Sequence, residues 1–193
     1  IASDSYNYKN LSVDKTKKSV IYSGAMQKKY GVPILLDAIK YIEDKDAEFV
    51  FYGNGDAVED ILKASKNDKR IKWCEFLETE LLHEEQQKAT LLVNPRQNNE
   101  EFTKYSFPSK NLEYMLSGRP TICYMLDGVP DEYSNYLIVP ENDSVEALAE
   151  AIKSVFDKTY EEQSQIGIKA RNFVLENKNY LVQTRKIIDL LNK

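Results

Sequence analysis

The chain has 193 residues, enough for one well-buried core and short for two full domains. Hydrophobic residues make up 42% and charged residues 30%, which excludes a disordered polypeptide. With 26 basic against 31 acidic residues the formal charge is −5, so the basic surplus usual in duplex-binding proteins is missing and no nucleic-acid partner is expected.

No apolar run approaches the roughly 18 residues needed to span a bilayer. Residues 1–18 are polar, lack a hydrophobic leader, and read as a linker or N-terminal extension. A single domain is expected over 19–193. Within it, β-rich runs alternate with stretches of helical spacing. Strands are expected over 19–22, 48–52, 71–74, 91–94, 120–124 and 136–139. After the first, Pro33 suits a first helical turn, and Ile34, Leu35, Ala38, Ile39 and Ile42 recur at helical spacing.

Shorter helices are expected over 58–66, 80–89 and 109–117. The last is stopped by Ser117-Gly118-Arg119-Pro120, because glycine adopts the left-handed conformation and proline cannot continue a helix. Asn142-Asp143-Ser144 caps an amphipathic helix carrying Val145, Leu148, Ala151, Ile152, Val155 and Phe156, and helical stretches over 161–177 and 179–192 follow. The alternation predicts an α/β fold, a doubly wound, mostly parallel six-stranded sheet with helices on both faces. Ligands bind such sheets beyond the carboxyl ends of the strands, near the reversal of strand order. The loops of interest are therefore 23–32, 53–57, 75–79, 95–108 and 125–132.

Cys74 and Cys123 fall in strand-like apolar runs and read as buried free thiols. His83, placed by its neighbours on a solvated helix face, completes no zinc spacing with them, and no metal site is expected. Gly24 follows the first strand, and Gly53 and Gly55 follow the second. Val58 occupies the third glycine position of a dinucleotide fingerprint, so plain turns are the better reading.

The region 105–113 is richer. Ser109 is positioned to cap a helix, leaving the amides of Lys110, Asn111 and Leu112 pointing outward. A helix N-terminus on a sheet rim seats phosphate, and Lys110 adds a mobile positive charge. Glu113, one turn further, offers a carboxylate to adjacent sugar hydroxyls. Spacing alone leaves this reading level with a core helix whose Lys110 and Glu113 are merely solvated.

The segment Phe107-Pro108-Ser109-Lys110-Asn111-Leu112-Glu113-Tyr114-Met115-Leu116-Ser117-Gly118-Arg119-Pro120 resembles the donor-site signature of the family 4 glycosyltransferases of the GT-B fold. Val20-Ile21-Tyr22-Ser23-Gly24 resembles the first strand and phosphate loop of that family's C-terminal domain. Phe49-Val50-Phe51-Tyr52-Gly53-Asn54-Gly55 is similar to its second strand and glycine turn. Ile71-Lys72-Trp73 resembles the strand before the base-contacting loop, and Ala89-Thr90-Leu91-Leu92-Val93-Asn94-Pro95 the strand before the signature. These segments run over 19–158 in the family's order.

The resemblance implies the Rossmann-like, donor-binding half of a retaining glycosyltransferase whose substrate is a nucleoside diphosphate sugar, with no cofactor and no required metal. It implies that the helix N-terminus and basic side chains neutralise the diphosphate leaving group, that Glu113 binds the ribose, and that Glu75, Phe76 and Leu77 contact the base. Glu113, Lys110 and Glu101 form the candidate catalytic set. Gly24, Lys28, Lys29, Gly53, Gly55, Arg96, Phe107, Pro108, Ser109 and Asn111 complete the candidate donor site.

Three positions depart from the family pattern. Tyr105 stands where the first of two paired glutamates falls, with Glu100 and Glu101 nearby as substitutes. Ala25 replaces an arginine and Tyr30 a lysine, leaving Lys28, Lys29, Arg96 and Lys110 as replacement cations. These departures keep open a non-catalytic nucleotide- or nucleotide-sugar-binding module. A GT-B epimerase is disfavoured, because His83 is the only histidine. The resemblance further implies an acceptor-binding N-terminal domain outside this chain, so the 193 residues are expected to bind nucleotide without transferring sugar. It also implies capsular or other surface-polysaccharide assembly. The full-length enzyme would be cytoplasmic and peripheral at the inner membrane face, acting on a lipid-linked acceptor.

Overall fold

Aromatic and β-branched runs form five strands in the computed structural model, which describes residues 6, 8, 9, 11–99 and 101–192. They are β1 (Ser19–Ser23), β2 (Glu48–Tyr52), β3 (Ile71–Cys74), β4 (Leu91–Asn94) and β5 (Thr121–Cys123). All pairings are parallel and the order is β3-β2-β1-β4-β5. Ile21 lies opposite both Val50 of β2 and Leu92 of β4. The intervening helices are α1 (Val32–Ile39), α2 (Val58–Asn67), α3 (Thr79–Lys88) and α4 (Ser109–Leu116), followed by α5 (Val145–Phe156), α6 (Tyr160–Asn177) and α7 (Tyr180–Leu191).

Alternate residues of each strand serve opposite faces, and both faces are covered, as a parallel sheet requires. Val20, Tyr22, Phe49, Phe51, Leu91 and Val93 pack with α1, α2 and α5 in one core. Ile21, Tyr52 and Leu92 face the other way and pack with Tyr114 of α4, while α4 and α6 enclose a further cluster around Met115 and Phe173. Each such fully buried side chain contributes about 1.5–3 kcal/mol relative to exposure.

The expected sixth strand is corrected. Residues 136–139 supply a single bridge, Ile138 to Ile122. Ile138 N–H donates to Thr121 C=O at 2.9 Å and Cys123 N–H to Ile138 C=O at 3.1 Å. The next donor on that edge would come from Pro140, which has no N–H, so the ladder stops.

The turn after α1 is held by Arg70, whose guanidinium donates to the carbonyls of Ile39 (3.1 Å), Ile42 and Asp44 (2.9 Å). Asp68 holds that guanidinium through both carboxylate oxygens, Oδ1 at 3.0 Å and Oδ2 at 2.7 Å. Part of the stretch expected to be a linker lies against the domain. The Tyr6 ring stacks on His83 at 4.0 Å, and Lys9 N–H donates to Gln87 Oε1 at 2.8 Å. His83 is therefore not on a solvated face but 5% exposed. The side of α3 that carries it packs beneath the N-terminal segment. Both cysteines are free; Cys74 is half-buried, and burial pushes the Cys123 thiol up to about 12.

Candidate functional site

Strand order reverses between β1 and β4, with β2 and β3 on one side and β5 on the other. Loops leaving those two strands must diverge, opening a crevice at their carboxyl ends. A cavity of 270 Å³ occupies it. Tyr22, Ala25 and Tyr30 line it from β1, Asn94 and Arg96 from β4, and residues 107–110 from the entry to α4. Three clefts elsewhere are larger: one of 430 Å³ beside α5 is lined by glutamates and no lysine or arginine, and in the other two, of 370 and 510 Å³, the lysines are neutralised. Lys18 pairs with Asp44 at 2.8 Å in the former of these two, and Lys17 and Lys72 share Glu48 at 2.7 and 2.6 Å in the latter.

Charge in the crevice is different. Arg96 and Lys110 line it, and among the described residues no carboxylate does. The Arg96 guanidinium lies 4.5 Å from the Phe102 ring centroid and 5.0 Å from that of Tyr30, with one N–H on Ser106 Oγ at 3.1 Å. Its Nε is buried without a hydrogen-bond partner among the described residues, and burial lowers the guanidinium pKa. Lys29 Nζ flanks the same two rings, 5.4 Å from Tyr30 and 5.8 Å from Phe102. Lys110 reaches back along Gly24, donates to Ser23 C=O, and has its pKa lowered by burial. Gly24 is needed here, because its φ is +123° and a Cβ would strike the ammonium.

Glu113 lies one helical turn beyond Lys110. Its Oε1 accepts from Gln86 Nε2 at 2.5 Å, and the same amide nitrogen lies 3.2 Å from Ser23 Oγ. Two cations with no ion pair among the described residues, at a helix entry with a carboxylate one turn away, suit an anion attached to a polyol. Among the described residues, no group of three or more His, Cys, Asp or Glu is arranged to hold a metal ion.

Not every expected residue joins this site. Lys28 is drawn toward α2, its ammonium on Asp60 at 2.9 Å and its N–H on Asp56 at 2.8 Å. Ser109 does not cap α4. It is exposed as the first helical residue, Pro108 holds the cap position, and the Asn111 N–H is engaged by Pro108 C=O at 2.9 Å. Asn111 is wholly buried, accepting from Asn94 Nδ2 at 2.6 Å, so it ties α4 to β4 and is absent from the cavity lining. Gly53 and Gly55 support the first loop from behind: Cβ atoms there would strike the carbonyls of Gly24 and Met26.

Glu101 is exposed in a 3-10 turn (Glu101–Tyr105) and is absent from the cavity lining; Tyr105 is 85% exposed. Glu100 lies outside the described residues. Phe107 and Pro108 line the cavity, the Phe107 ring centroid 5.0 Å from that of Tyr133. In the loop after β3, Glu75 and Phe76 are exposed while Leu77 anchors against the sheet.

Residues 17–158 match the family described as glycosyl transferases group 1. The chain belongs to that family. No curated protein sequence matches it. Among solved structures, sucrose-phosphate synthase from Thermosynechococcus elongatus superposes with a TM-score of 0.75 at 18% identity, over 93% of this chain and 46% of that one. HepE from Anabaena, solved in complex with UDP, gives 0.75 at 15% identity, over 92% of this chain and 49% of that one. The C-terminal domain of LpcC, a glycosyl transferase group 1 family protein from Francisella tularensis, gives 0.68 at 14% identity, over 87% and 89%. Such identities speak to the fold, which is that of a GT-B Rossmann-like domain. This chain spans about half the length of the synthase and of HepE.

Several residues around the crevice carry no local signal in the sequence. Tyr22, Tyr30 and Asn94 line the crevice, and Gln86, Ser23 and Tyr6 surround Glu113. Position relative to the switch point would have found the first three. The Tyr6 contact joins residues 80 apart, and nothing short of the fold predicts it.

Proposed function

We propose that this chain is the donor-binding half of a retaining glycosyltransferase that uses a nucleoside diphosphate sugar. The observation that carries the reading is the crevice at the switch point, where Arg96 and Lys110 stand with no carboxylate among the described lining residues. In this reading the diphosphate bridges those two side chains with Lys29 at the margin, and Glu113 accepts from the ribose hydroxyls. The loop carrying Glu75, Phe76 and Leu77 meets the base, and the sugar lies toward Phe107, Pro108 and Ser109. The two cations neutralise charge that develops on the departing diphosphate. One such interaction is worth about 2.7–4 kcal/mol of barrier.

Relatives support the nucleotide class. HepE was solved with UDP and with UDP-glucose, and Staphylococcus aureus TarM with UDP. No metal or cofactor takes part in the proposed step. The acceptor would be held by a domain outside this chain, so the chain alone binds donor and transfers nothing. Polysaccharide assembly on a lipid-linked acceptor, as in the family 4 enzymes, is the proposed setting. Among the described residues no helix is long and apolar enough to cross a membrane; the peripheral contact with the bilayer that belongs to this proposal rests on the family resemblance.

A second reading, a binding module without chemistry, is favoured by one observation: among the described residues the cavity lining contains no carboxylate to grip the sugar. Calorimetric titration with UDP-, GDP- and ADP-sugars, repeated with Glu113→Ala, tests the proposal. Saturable binding weakened by the substitution supports it. Binding that Glu113→Ala leaves untouched removes the ribose assignment, and no binding to any of the three removes the function.

A further inference from the structure

We infer that Gln86 and Tyr6 form a relay that positions the Glu113 carboxylate, so that residues ahead of β1 tune recognition of the donor's ribose. The inference rests on the assignment of Glu113 to the ribose. Glu113 is a long, half-buried side chain whose placement needs an anchor. Gln86 Nε2 supplies one, donating to Oε1 at 2.5 Å, while Oε2 has no hydrogen bond among the described residues and is left for a ligand hydroxyl.

A glutamine amide can present either end, and here three neighbours select one. Tyr6 O–H is shared between Gln86 Oε1 at 3.1 Å and the His83 carbonyl at 3.3 Å, and with Oε1 on that side Nε2 faces Glu113 and Ser23 Oγ, the latter at 3.2 Å. The reversed amide would set its oxygen against the Glu113 carboxylate and leave the tyrosine proton the His83 carbonyl alone. Tyr6 is itself fixed by stacking on His83, with ring centroids 4.0 Å apart and planes 21° apart. Gln86 is completely buried, so water cannot substitute for a lost partner. Ser23 also ties the relay to the loop beneath Lys110, since its N–H donates to Tyr114 Oη at 2.8 Å.

Gln86 and Tyr6 are positioning residues, since neither is assigned a contact with the donor. Their signature is selectivity for ribose over a sugar lacking the hydroxyls, which packing alone would not move. The probes are the best-bound member of UDP, GDP and ADP, its 2′,3′-dideoxy analogue, and inorganic pyrophosphate, titrated into the intact chain. The unsubstituted chain should prefer the ribonucleotide by about tenfold or more, as expected for a hydrogen bond to a charged group. Glu113→Ala should abolish that preference. Gln86→Met, which keeps length, and Tyr6→Phe, which keeps the stacked ring, should each reduce it by about threefold or more with pyrophosphate binding unchanged.

Should Gln86→Met fail to fold, Tyr6→Phe carries the test. Retention of the full preference by the folded relay variants, while Glu113→Ala loses it, overturns the relay and leaves the ribose assignment standing. Loss of pyrophosphate binding along with the preference also overturns it. A preference that survives Glu113→Ala, or no binding at all, removes the assignment and the relay together.

Discussion

Lys110→Met separates the demands of ligand binding from those of folding. Methionine keeps most of the stem that lies beside Tyr22 and Tyr114, whose ring centroids are 5.4 and 5.7 Å from Nζ. What disappears is an ammonium bonded to Ser23 C=O that takes part in no ion pair among the described residues. At an effective dielectric of about 20, an ammonium 4 Å from a phosphate oxygen interacts by about 4 kcal/mol. After dehydration of both groups about 2–3 kcal/mol should remain, or about 30- to 150-fold in affinity. The empty protein should lose nothing. Removing a desolvated charge should stabilise it on the order of 1 kcal/mol, raising Tm by about 2–4 °C.

The advantage should depend on pH in a defined direction. Burial lowers the Lys110 pKa, so the folded state releases its proton before the unfolded state does. Below the folded pKa both states are charged and the penalty is complete. As pH rises toward the ordinary lysine value of about 10.4, the unfolded chain holds more protons and the unsubstituted protein gains stability. The gap between the two proteins should therefore narrow with rising pH. Melting curves without ligand near pH 7 and near pH 9.5, with calorimetric titration of UDP near pH 7, measure both effects. Unchanged UDP affinity, or a Tm several degrees lower in Lys110→Met, would refute the reasoning.

Arg70→Ala frees the carbonyls of Ile39, Ile42 and Asp44; urea denaturation should show a loss of about 3 kcal/mol. Arg70 holds the Asp68 carboxyl below its usual pKa, so the pair's contribution is present above about pH 4 and fades as pH falls through the folded value. Asp68→Asn should flatten the acid limb of a stability-versus-pH curve in that window. Asn111→Ala strands the Asn94 amide in the interior and should cost about 2 kcal/mol in chemical denaturation. Gly53 has φ +133° and its Cβ would meet the Gly24 carbonyl, a backbone atom that cannot step aside. Gly53→Ala should lower stability by about 2–4 kcal/mol, read from the same denaturation curves.

The five strands were legible because each carries apolar residues on both faces, a pattern that only a sheet covered on both sides accommodates. The sixth misled because Tyr136, Leu137, Ile138 and Val139 have strand composition while the decisive residue, Pro140, lies just past them. Lys28 and Lys29 are adjacent and chemically identical, so sequence could not rank them. Asp56 and Asp60 on the neighbouring element draw Lys28 away and leave Lys29 beside Tyr30. His83 sits among glutamates that suggest a wet surface, yet it shares a buried side of α3 with Gln86 and Gln87. Lys110 and Glu113 were visible as a local motif. Arg96 and Tyr6 join them only through strand order and the path of the N-terminal segment.

The central claim, a donor site at the switch point, is tested most directly by titrating UDP into isotope-labelled protein and mapping the backbone amide shifts. The account predicts saturable shifts at Gly24, Arg96, Lys110 and Glu113, at the carboxyl ends of β1 and β4. Shifts confined to the cleft around Lys18 and Asp44, or none at millimolar UDP, would contradict it.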